Sequence, residues 1–152
     1  MAVLQTSDLA VQVPRGWDAR AQLRTHDAEV ARADGLALVH VASFPLPVEV
    51  GDFGSGAVEV MRTTDAFVAI FEHDRSSVGT ALFAHQGRPA PLTATDFSED
   101  SLQRPQAGQV GLQRFFTLEG RAFCLYVVLG HRAMGLRKLP LVNDLVASFK
   151  PS

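Results

Sequence analysis

The sequence predicts an α+β domain, an antiparallel β-sheet packed against a C-terminal helix and a short early helix. Three observations predict it. Short apolar runs broken by Pro and Gly follow one another from residue 9 to residue 129, without the interleaved helices that a parallel sheet needs for its crossovers. Residues 109–117 (QVGLQRFFT) and 121–129 (RAFCLYVVL) flank Leu118, Glu119 and Gly120, a connection of hairpin length. Near the end, Leu141, Val142, Leu145, Val146 and Phe149 mark one face of a helix.

The elements follow in order. Leu9, Val11 and Val13 alternate with small or polar residues until Pro14 and Gly16 break the run, so residues 9–17 read as a first strand entering a turn. Residues 18–25 return as a second strand, and the polar stretch 26–34 reads as a loop. Residues 36–44 (LALVHVASF) are apolar on both faces, which suits a central strand, and Pro45 and Pro47 end it because neither can donate to a ladder. After a loop over 48–53, Ser55 is placed to cap a short helix over 56–62. Residues 66–71 (AFVAIF) form another buried strand, and residues 80–84 (TALFA) a short one. Residues 86–108 carry turn residues and little period. Pro140 suits the first turn of a closing helix over 139–152, and Pro151 is expected to stop it.

A chain of 152 residues with 47% apolar residues fits a single domain over 1–152 with a self-sufficient core, since a domain of this size buries about 70% of the surface of its unfolded chain. Fourteen basic against sixteen acidic side chains, net −2, lack the positive field that draws nucleic acid. Cys124 is the only cysteine, so neither an internal disulfide nor a thiolate metal cluster is expected. No apolar run approaches the length of a membrane span and no signal-peptide pattern opens the chain, so the expected location is cytoplasmic. Lys138 and Lys150 are the only lysines among many Arg, Ala and Val, which suggests a GC-rich bacterial coding background.

VPRGW at residues 13–17 and LVNDLVASFKP at 141–151 resemble the PsbP-like superfamily, which includes DcrB-type proteins and the Eag-type chaperones of secretion-system effectors. The resemblance covers about a sixth of the residues as motif. It implies an α/β sandwich and a non-catalytic accessory role, and the residues between the two motifs lie outside it.

Few residues suggest chemistry. Gly51, Gly54 and Gly56 could bring backbone N–H groups to a phosphate, but their spacing fits neither a Rossmann fingerprint nor a P-loop, and a plain loop is favoured. Glu72, His73, Asp74 and His85 lie at strand ends. They would make a metal or acid–base site only if those ends met, although a strand sends Glu72 and His73 to opposite faces. His40 lies in a central strand, where a histidine is usually a core residue with one ring nitrogen satisfied, and Cys124 reads as an inert buried thiol. Trp17 caps the core or sits at a rim. Phe115 and Phe116 must point to opposite faces, so one of them needs cover beyond the main core.

The leading expectation is a non-enzymatic accessory or protein-binding domain, chaperone- or adaptor-like, without a cofactor. It would use an open sheet face and Trp17, Phe53, Phe115 and Phe116 against an unidentified protein partner or in a homodimer. The alternative is a small-molecule-binding protein or enzyme using Glu72, His73 and His85.

Overall fold

The computed structural model describes residues 2–23 and 36–152. They form two antiparallel sheets, short 3-10 turns and a C-terminal helix, an α+β fold. The first sheet has the order β1 (Ala2–Gln5), β2 (Leu9–Val13), β8 (Lys150–Pro151). The second has the order β3 (Asp18–Leu23), β4 (Ala37–Ala42), β5 (Ala66–Glu72), β7 (Arg121–Leu129), β6 (Val110–Leu118). Helix α1 spans Arg132–Gly135 and helix α2 spans Leu139–Ser148.

The apolar runs became the middle of the second sheet. Every residue of β4 and β5 is buried, as is β7 from Ala122 onward, so these strands are covered on both faces. The β6–β7 hairpin turns through Glu119 and Gly120, both at positive φ, as a two-residue turn of matching twist requires.

One face of the five-stranded sheet carries Val39, Val68, Leu125 and Phe116, and β2 and α2 pack on it through Leu9, Val11, Val142 and Leu145. The other face carries Leu38, Phe67, Phe71, Cys124 and Tyr126. Chain between the strands covers it, with Phe44, Leu46, Val50 and Val58 inserted against it. The open sheet face expected opposite the closing helix is therefore filled from within the monomer. Asp18 and Arg20 of β3 hold part of this cover. The Asp18 carboxylate accepts from Leu46 N at 2.8 Å, and the Arg20 guanidinium donates to the Val48 carbonyl at 3.1 Å.

The strand from Leu9 stops at Val13 and enters the expected turn, closed by Trp17 N donating to the Pro14 carbonyl. Several other elements differ from expectation. The expected helix over 56–62 is only a 3-10 turn, Val58–Val60. Gly56 sits at φ +93, outside helical space, and no side chain caps the turn. Residues 80–84 are not a strand: Phe83 N bonds the Thr80 carbonyl, making a 3-10 turn over Ala81–Phe83. The closing helix ends at Ser148, since Phe149 is extended (ψ 129), and Pro151 pairs with Leu9 rather than merely stopping a helix. The expected loop at 26–34 lies outside the described residues.

Candidate functional site

The candidate site lies on the loop-covered face of the large sheet. Phe71 on β5 and Phe115 on β6 both pair with Cys124 of β7, so the three side chains line up across the sheet on this face. Phe53, from the loop above, sets its ring edge-on against Phe71 at 4.9 Å and Tyr126 at 5.4 Å. The His73 ring stacks on Phe71 at 5.6 Å and leans on Phe83 at 4.9 Å, and Phe83 meets Phe115 edge-on at 5.5 Å. Phe71, Phe83 and Tyr126 are buried, while Phe53, His73 and Phe115 are half-buried. Met61 and Leu102 pack against the core of the same face, also half-buried. Tyr126 is anchored by accepting from Gln103 N at 2.8 Å, and burial pushes its phenol pKa up.

Of the four expected interaction residues, the structure brings two into this cluster, Phe53 and Phe115. Phe116 points to the other face and is buried between Phe123 and Phe149. Trp17 is half-buried against that same helix-side core. The sequence rule that adjacent strand residues diverge held, and the cover that Phe115 needed comes from Phe83 and His73.

Above the cluster, residues 51–58 fold on themselves. Gly51 N donates to the Ser55 carbonyl, Gly54 N to the Gly51 carbonyl, and both Ala57 N and Val58 N to the Gly54 carbonyl. Gly56 N is taken by the Glu59 carboxylate at 2.6 Å, and Glu59 in turn pairs with Arg104 at 2.8 Å. The Arg104 guanidinium holds the Glu59 carboxyl below the usual range. A phosphate cradle is thereby ruled out at these N–H groups, because an internal carboxylate and carbonyls already occupy them. Gly54 lies so close to the Phe67 ring that a Cβ would come within 2.7 Å of it.

Under this turn His40 is fully buried. Its Nε2 lies 3.3 Å from the Asp52 carbonyl, its ring is 5.3 Å from Phe67, and its Nδ1 has no hydrogen-bond partner among the described residues. Burial lowers its pKa to about 4, against an opposing pull from Asp52, so the ring is neutral at pH 7. The sequence placed His40 in the core with one satisfied nitrogen, and the structure shows that arrangement.

The strand-end residues have separate partners. Glu72 is buried, its carboxylate bridged by Arg121 through Nε at 3.0 Å and Nη2 at 3.1 Å, and it also accepts from Ala37 N at 3.3 Å. Arg121 Nη1 continues to the Asp8 and Ser152 carbonyls, so this pair ties the large sheet to the small one. The His73 ring belongs to the aromatic cluster. His85 is exposed, with Nε2 at 3.1 Å from the Arg88 carbonyl. Three clefts of about 580, 160 and 170 Å³ are lined by other residues. Among the described residues no three His, Cys, Asp or Glu side chains gather to hold a metal, and Cys124 is buried. No helix among them is long and apolar enough to cross a membrane.

The chain matches no family model, no curated protein and no solved structure. The PsbP-like resemblance thus rests on its two end motifs alone.

Proposed function

We propose that this is a non-enzymatic protein-binding domain, chaperone- or adaptor-like, that receives an apolar segment of a partner protein on the Phe53–Phe115 cluster. The observation that supports this most is that four half-buried apolar side chains, Phe53, Met61, Leu102 and Phe115, each pack against the buried core of this face. Aromatic side chains on a firm apolar support are the residues that dominate binding energy at interfaces. The charges beside the cluster are already paired, Glu59 with Arg104, so the face favours an uncharged, apolar occupant. In the cytoplasm the lone cysteine would stay a thiol.

The test compares the wild type with Phe53→Ser/Phe115→Ser, checked by circular dichroism to keep its fold. Partners captured by the wild type from the native host are re-made as purified proteins and titrated. Binding weakened tenfold or more by the double variant supports the reading. Equal binding by both, or no reproducible partner together with a monomer in sedimentation, overturns it. A concentration-dependent dimer that the variant abolishes would make a second copy of the chain the partner.

A further inference from the structure

We infer that the chain forms a two-fold dimer in which β1 pairs edge to edge, antiparallel, with β1 of a second copy. The contact uses none of the Phe53–Phe115 cluster and stands apart from the preceding proposal.

The direction of the backbone in β1 comes first. Thr6 N donates to the Leu9 carbonyl at 2.8 Å, and backbone groups along a strand point alternately to its two sides. Leu4 and Ala2, opposite Val11 and Val13, therefore bond to β2, while the N–H and C=O of Val3 and Gln5 point away from it. β1 is the outer strand of its sheet, and among the described residues nothing bonds to those outward groups. Val3 and Gln5 are both exposed.

The other sheet edges are closed or defended. On β6, Thr117 bonds with His85 and Gly87, and Gly111 exchanges bonds with Ser98. β3 carries Asp18 and Arg20, and the Asp18 carboxylate takes the Ala19 N–H at 2.9 Å. β8 is Lys150 and Pro151 alone, and Pro151 has no N–H to offer. Very short edges, charges and prolines are the devices that keep a sheet from pairing with another chain. Ala2–Gln5 has neither charge nor proline.

A second copy suits this edge better than an unrelated strand. A two-fold axis through Leu4 sets Val3 of each chain against Gln5 of the other, so the outward N–H and C=O groups of both chains exchange bonds. It also sets Leu4 against Leu4, in the non-bonded kind of pair whose Cα atoms come within about 4.5 Å. Leu4 packs against the helix-side core and is only half-buried, so its copy covers the side left open. Uncharged residues face each other along the pair, and the two-fold uses up the edge on both chains, which stops assembly at the dimer.

The experiment is sedimentation of the whole chain over a concentration series, with cysteine cross-linking to read the register. The wild type is expected to pass reversibly from monomer to dimer. Val3→Pro removes an N–H that the monomer does not use and is expected to weaken dimerisation at least about tenfold. Val3→Lys, which keeps the N–H and adds a charge to the edge, is the second variant should Pro disturb folding. Mild oxidation of Leu4→Cys is expected to give a disulfide-linked dimer, because the axis brings the two positions within disulfide reach. Val3→Cys, which meets Gln5, and the wild type, whose Cys124 is buried, are expected to stay largely unlinked. Phe53→Ser/Phe115→Ser is expected to dimerise as the wild type does, which separates this contact from the binding proposal. A dimer untouched by both Val3 variants, or Val3→Cys linking as readily as Leu4→Cys, overturns the inference. So does a wild type that stays monomeric, whether its edge is left empty or takes a strand of another protein.

Discussion

The two faces of the large sheet bury comparable apolar side chains but close in different ways. On one, β2 and α2 lay regular elements against the strands, and Phe116, Phe123 and Phe149 interlock edge to face. On the other, the cover is irregular chain pinned by single long-range hydrogen bonds: Asp18 to Leu46 N, Gln109 Nε2 to the Val58 carbonyl at 2.7 Å, and Tyr126 to Gln103 N. Opening a regular layer breaks many packed contacts at once, whereas a pinned loop can open locally at low cost. The first face is held by layered elements and the second by separate pins.

Breaking the tie between the sheets is expected to have the largest effect. Arg121→Met takes the guanidinium from the buried Glu72 carboxylate, a change of about 3–5 kcal/mol by urea denaturation. Phe116→Ala on the helix side is expected to cost about 3–5 kcal/mol through cavity formation, with no change in partner binding. Both would blur the contrast if they cost no more than changes on the loop side.

Acid probes the loop side through His40. Its folded pKa is lowered, so its contribution to stability is complete above pH 6.5 and is lost as pH falls toward 4. That amounts to about 3 kcal/mol at the acid end, visible as a falling urea midpoint that His40→Phe flattens. Phe53→Ala, at a half-buried ring, is expected to cost about 1–2 kcal/mol, well below Phe116→Ala. The smallest effect is expected at the exposed Glu59–Arg104 pair, where Glu59→Gln should change stability by under about 1 kcal/mol. A larger loss there would mean that the pair pins the 51–58 turn alongside Gln109.

The contrast also explains what the sequence could show. β4, β5 and the β6–β7 hairpin were legible because apolar runs and Pro/Gly breaks are local signals. β1 and β8 were missed, since Ala2–Gln5 carries no clear alternation and Lys150–Pro151 is a strand only by pairing with β2. On the loop side, Phe53 and Phe115 were named as interaction residues, but their meeting through Phe71 and His73 depends on chain folded back across the sheet. His40 gave a better signal: a lone histidine inside an apolar strand must be neutral or partnered. The reading of an open sheet face failed because turn-rich chain such as 44–58 has no period to show that it packs.

The pairing of β2 with β8 has a consequence in time. Leu9 and Ala10 meet Pro151 and Lys150, and Ser152 N reaches the Asp8 carbonyl, so this strand waits for residues about 140 positions later to complete its sheet. Contacts between such distant parts of a chain slow folding. During synthesis the Leu9, Val11 and Val13 side chains stay unsealed until residues 139–151, which pack on and pair with β2, have left the ribosome.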